Sequence, residues 1–278
     1  MTEADDLSVE KSAFDTDAEN FSLLDAAALV ARVDGRLVDL AAIRRDVNAL
    51  ARRVELKLTS ADPVRALQQV LFPADSLECF RGDDEEYDAP RNSFICEVLA
   101  RRRGLPIALS VLTVEVAARA NIRAFGLALP GHFMVAVVLD ENDDEGTLAV
   151  IDPFLGGRVV PPRELAERLG VPESELGEVL QPARPDQVLV RMLTNLRGSY
   201  ARRSLHGPLS KVLSRLLLLR PRDPWVFLER AEARRMLLDE DGARGDITAA
   251  LALSDADDIA RAAKRLIGVL DDAHVLLN

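Results

Sequence analysis

The chain of 278 residues suits one large domain or two modest ones, and with 48% hydrophobic and 29% charged residues it reads as globular. A net charge of −11 speaks against nucleic acid as a main partner, because phosphate backbones call for clustered Lys and Arg. No apolar run approaches the roughly 20 residues of a membrane helix, and two cysteines make no disulfide framework, so a cytoplasmic protein without a membrane partner is expected.

Residues 1–20 are acidic and polar, unlike a signal or transit peptide, and read as a disordered tail. Phe21–Leu58 carries helical spacing in Leu23, Leu24, Ala27 and Ala28, then again in Leu40, Ile43, Val47, Leu50 and Val54, with a break near Asp34-Gly35. Asp62-Pro63 caps a short third helix that Pro73 stops. Arg81–Asp88 is dominated by acidic residues and reads as a solvated loop.

Asn92 or Ser93 is expected to cap the next helix, with Phe94, Ile95, Val98 and Leu99 on its buried face. Arg101-Arg102-Arg103 lies at its C-terminal end, where cations meet the negative end of the dipole, and Gly104 reads as its stop. Pro106 opens a helix reaching about Asn121 that is apolar on nearly every side, the mark of a central buried helix. Ala124–Leu129 and His132–Leu139 read as strands joined by Pro130-Gly131, and Thr147–Ile151 as the return strand. The loop 140–146 between them faintly resembles a calcium loop but lacks the sixth-position Gly and the twelfth-position Glu, so calcium is not expected. Arg158–Val160 suggests a further short strand and Arg163–Leu169 a helix. The segment 180–186, with Pro182 and Pro185, is the best domain boundary, after which 188–270 turns wholly helical. A thirty-four-residue period there places Ala231, Ala243 and Ala250 at the small-residue positions of a tetratricopeptide repeat; the other reading is a generic helical bundle.

The middle of the chain resembles the transglutaminase superfamily of thiol enzymes. Gly104-Leu105-Pro106 falls on that family's Gly-x-Cys helix start, His132 on its His and Asp152 on its Asp. In those enzymes the helix N-terminus lowers the thiol pKa, the His takes the proton and the Asp holds the imidazole in one tautomer. Pro106 occupies the nucleophile's position and cannot attack. More specifically, Phe80-Arg81-Gly82, Arg91-Asn92-Ser93, Arg101 to Ile107, Pro130-Gly131-His132-Phe133 and Asp152-Pro153-Phe154 resemble the SirB-type transglutaminase-like proteins. That resemblance implies an α+β protein. Its parts would be a disordered tail (1–20), a papain-like transglutaminase-like core with a helical N-terminal region (21–180), and a small all-α tetratricopeptide-like domain (187–278).

The retained partners of the lost triad would be His132 and Asp152. Asn92, Arg102, Pro106, Ser110, Phe133 and Phe154 are the candidate cleft residues. Each has a plainer role beside it: His132 as a hydrogen-bonded strand residue, Asn92 as a cap, Arg102 as a dipole partner, and Ser110 bonding back to the carbonyl four residues earlier. Cys96 and Cys79 read as structural thiols. No metal is expected, since His206 and His274 lie in the helical half, and no motif calls for a cofactor. The leading expectation is a non-enzymatic module that binds a protein or peptide. The alternatives are a hydrolase or acyl-transfer enzyme using His132 and Asp152 with Ser110, and a small-molecule sensor. The oligomeric state is open.

Overall fold

The computed structural model describes residues 11–74, 76–139 and 147–276, with side chains to 272. Its described residues divide into two compact units, one formed within 22–32 and 36–192, the other within 11–21, 33–35 and 193–276.

In the first unit, α1 (Leu23–Leu29) begins where Ser22 accepts the Asp25 N–H. Helix α2 (Leu40–Leu58) is capped by Asp39 and buries Ile43, Val47, Leu50, Ala51 and Val54, the stripe that a 3.6-residue period dictates. Helix α3 (Pro63–Leu71) has Asp62 as its cap and Pro63 in its first turn. Strand β1 (Arg81–Gly82) pairs in parallel with β2 (Arg103–Gly104) in a two-residue ladder. Between them lie a 3₁₀ turn (Pro90–Ser93) and α4 (Ile95–Arg101). Helix α5 (Pro106–Arg119) is buried on most sides and packs on α2 and on the main sheet.

That sheet runs β3 (Ala124–Leu129), β4 (His132–Val138), β5 (Leu148–Asp152) and β6 (Arg158–Val160), antiparallel and in sequence order. One face turns Leu127, Leu129, Met134, Ala136, Val150 and Val160 toward α6 (Pro162–Leu169) and α7 (Leu176–Val179). The alternate residues face α5. The segment 180–184 forms neither helix nor strand, yet Ala183 donates to the Gly126 carbonyl at 2.8 Å, tying it to the edge of β3.

Helix α8 (Pro185–Arg202) runs through the point where the second unit begins. It is followed by α9 (His206–Leu219), α10 (Pro224–Met236), α11 (Glu240–Leu253) and α12 (Asp257–Leu276). Ala231, Ala243 and Ala250 are buried with Leu228, Ile247 and Ile259 in one apolar cluster. Asp246 is buried and takes two bonds from Arg230, at 2.6 and 2.9 Å, and one from Arg234 at 3.0 Å. The Tyr200 hydroxyl donates to Asp34 at 3.2 Å. In the tail, Phe14 is buried rather than solvated, while residues 1–10 lie outside the described residues.

Three local expectations need correction. Helix α4 is capped by Phe94, not by Asn92 or Ser93, which are consumed in the preceding 3₁₀ turn. It ends on Arg102 in the left-handed region, at φ 58°, rather than on Gly104. Gly104 is instead a packing glycine in β2: a Cβ there would lie 2.6 Å from Val98. Nor is the acidic run wholly solvated. Asp83 is buried and takes a bond from Arg101 at 2.6 Å.

Candidate functional site

The Pro130-Gly131 turn sets where β4 begins. Gly131 sits at φ 71°, as the second corner residue of a type II turn requires, and Leu129 is paired with His132 across it. Strand β5 delivers Asp152 as its last residue. The two side chains meet: His132 Nε2 lies 2.8 Å from Asp152 Oδ2.

Asp152 is fully buried, and its other oxygen accepts the backbone N–H groups of Phe154 at 3.0 Å and Leu155 at 3.3 Å. A buried carboxylate is tolerated when its lone pairs are filled in this way. An ionised carboxylate only accepts, so the bond fits the imidazole tautomer with its proton on Nε2, which leaves the Nδ1 lone pair for a second partner. The His132 side chain retains 17% exposure, so the pair is reachable from solvent. The Phe154 ring stands edge-on to His132, with centroids 6.1 Å apart, and Tyr87 stands edge-on to Phe154 at 5.7 Å. Tyr87 and Leu155 are exposed at 45% and 52%. Burial pushes the Tyr87 phenol above its ordinary pKa, against the opposing charge of Arg191.

Pro106 is the first residue of α5 and is buried; Leu105 precedes it as a cap without a side-chain hydrogen bond. Ser110 is fully buried and donates to the Phe133 carbonyl at 3.3 Å, not to the carbonyl four residues earlier. Thr113 makes that local bond instead, to Leu109 at 2.8 Å. Alternation along β4 sends His132 and Phe133 to opposite faces. Phe133 fills the space left by Gly126, where a Cβ would come within 2.6 Å of its ring, so Ser110 and Phe133 belong to the α5 side of the sheet.

Asn92 is fully buried; its amide donates to the Glu86 carbonyl at 2.7 Å, and its oxygen accepts from Arg101 at 2.9 Å. Arg102 lies over the Phe80 ring, 4.4 Å from its centroid, and burial lowers its pKa. Of the candidate cleft residues, His132, Asp152 and Phe154 come together, while Asn92, Arg102, Ser110 and Phe133 are engaged elsewhere. Tyr87 sits within a charge run, which masks it in the sequence. An aromatic just downstream of Phe80-Arg81-Gly82 was the available signal.

Neither thiol is activated: burial raises the pKa of Cys96 and of Cys79, in the latter against the nearby Arg81 charge. Among the described residues no group of three or more His, Cys, Asp or Glu could hold a metal ion. The loop 140–146, with its faint likeness to a calcium loop, lies outside the described residues. No helix among them is long and apolar enough to cross a membrane.

The profile of the transglutaminase-like superfamily matches residues 41–194, the stretch that holds the His132–Asp152 pair. A UPF0162 protein of Xylella fastidiosa (strain 9a5c) is 35% identical over 251 residues, covering 85% of each chain. Another, from Pseudomonas aeruginosa, is 30% identical over 214 residues, 76% of this chain and 77% of its own. A third, from Vibrio cholerae, is 25% identical over 155 residues, 54% of this chain and 56% of its own. No solved structure matches. With its profile match over residues 41–194 and a UPF0162 relative 35% identical over 85% of each chain, the chain belongs to the transglutaminase-like superfamily and to the UPF0162 family.

Proposed function

We propose that this protein is a non-enzymatic, SirB-type member of its superfamily that binds a protein or peptide in the cytoplasm. Its core is papain-like, and its helical half is tetratricopeptide-like. His132 and Asp152 are the remaining partners of a triad whose nucleophile position holds Pro106. The observation that carries the reading is the 2.8 Å His132–Asp152 bond, in a chain whose α5 opens on a residue without a side-chain nucleophile. Thiol acyl transfer needs a thiolate beside the imidazole. Burial raises both thiols in this chain.

A Ser110-based hydrolase is the weaker reading. Its hydroxyl would have to leave the Phe133 carbonyl and emerge from full burial. Recognition therefore falls to His132 and Phe154, with the exposed Tyr87 edge-on to Phe154. The buried Ala231, Ala243 and Ala250 support the repeat assignment, and the surfaces of such repeats commonly bind peptides. The free thiols of Cys79 and Cys96 suit a reducing compartment.

The test pairs a panel of acyl-transfer and ester substrates with a peptide-library binding screen, on the parent chain and on His132→Ala. The reading expects no turnover from either, and selected peptides whose binding is weakened by His132→Ala. Turnover that disappears in His132→Ala would overturn it.

A further inference from the structure

Away from the His132–Asp152 pair, the first unit carries a cavity of about 390 Å³ lined by Ser76, Leu77, Cys79, Arg81, Arg101 and Arg103. That is the size of a small-molecule site. Its charge is at odds with that of the chain as a whole, which is net −11. Arg101 is balanced, donating to Asp83 at 2.6 Å and to Asn92 at 2.9 Å. Arg81 and Arg103 have no carboxylate within ion-pair distance among the described residues. They are moreover direct partners in the β1–β2 ladder, Arg81 opposite Arg103. Like charges placed directly opposite repel. Gly82, the next residue of β1, lies against Phe154, so alternation turns Arg81 away from the His132 side.

We propose that this pocket binds a small phosphate monoester, with Arg81 and Arg103 clamping the phosphate and Arg101, held rigid by Asp83 and Asn92, as the third wall. The two unbalanced guanidiniums match a group carrying about −1.5 to −2 charges at neutral pH. Guanidinium forks fit phosphate oxygens in pairs. A polyanion would meet the acidic remainder of the chain, whereas a compact dianion feels chiefly the pocket. The site makes no use of the His132–Asp152 pair and stands or falls separately from the function proposed above.

Calorimetric titration of the full chain at constant ionic strength provides the test, with inorganic phosphate, glycerol 3-phosphate and acetate as probes. Both phosphates should bind saturably and acetate at least tenfold more weakly. Phosphate at ten times its Kd should raise the melting temperature by about 3 °C. Because Cys79 lines the pocket and Cys96 does not, phosphate should slow iodoacetamide alkylation of Cys79 at least threefold and leave Cys96 unchanged. Arg81→Gln and Arg103→Gln should each weaken binding at least tenfold, and the exposed control Arg163→Gln should not. Arg81 is exposed, so Arg81→Gln carries the test should Arg103→Gln fail to fold. Acetate binding as well as phosphate, no saturable binding of either phosphate, or phosphate binding indifferent to Arg81→Gln would overturn the proposal.

Discussion

Gly82 and Phe154 occupy one space. A Cβ on Gly82 would overlap the Phe154 ring, and the Gly82 N–H donates to the Phe154 carbonyl at 2.8 Å. The ring so held stands edge-on to His132. The short ladder of β1 thus reaches the His132–Asp152 pair through a missing side chain.

Gly82→Ala should therefore destabilise the chain by about 1–3 kcal/mol, the usual cost of overpacking. Phe154→Leu should relieve part of that cost in the double variant, since residues in contact do not act additively. Urea melts of the parent, the two single variants and the double variant measure the coupling. Additive losses would mean that the two residues do not share the space.

Ser110→Ala should cost about 1 kcal/mol, because the Phe133 carbonyl loses a donor inside the core. Peptide binding should be unchanged. A Ser110→Ala chain of unaltered stability and altered binding would place this hydroxyl in the recognition site instead.

The His132 strand was legible in the sequence because apolar strands around a Pro-Gly corner are a local signal, and so was the all-helical C-terminal half. The β1–β2 ladder was not. Two residues are too few to show a period, and their partners lie 22 positions apart along the chain. Asn92 looked like a cap because caps are judged by residue type; the 3₁₀ turn before α4 gives its amide to Glu86 and its oxygen to Arg101. Tyr87 was hidden among acidic neighbours, since a charge run read as solvated hides an aromatic whose contact is 67 residues distant. Ser110 was assigned a partner on its own helix, and only the sheet packed across α5 supplies the Phe133 carbonyl.

Asp246→Asn should be severe. It weakens the common partner of Arg230 and Arg234 in a buried network, and breaking such a pair costs about 3–5 kcal/mol. Thermal melts of the full chain check this, and a loss below about 1 kcal/mol would put the network in the class of exposed ion pairs.

The two thiols make stability depend on alkaline pH. In the folded chain Cys79 and Cys96 hold their protons to higher pH than in the unfolded chain, because burial disfavours the thiolate. Their contribution is fully present below the unfolded pKa, about 8.5, and is lost as pH rises through the folded values. Urea midpoints should fall above about pH 8.5 and fall less in the Cys79→Ser/Cys96→Ser chain. An identical slope in both chains would remove the thiols from the account.

The central proposal is that Pro106 occupies the sequence position of a lost nucleophile, in a chain that keeps a hydrogen-bonded His132–Asp152 pair. The most direct measurement is the iodoacetamide reaction rate of Pro106→Cys at neutral pH, in the Cys79→Ser/Cys96→Ser background, with His132 present or replaced by Ala. The account predicts alkylation at least tenfold faster than free cysteine, falling back when His132 is removed, as a lowered thiol pKa requires. A thiol that reacts no faster than free cysteine and is indifferent to His132→Ala would contradict it.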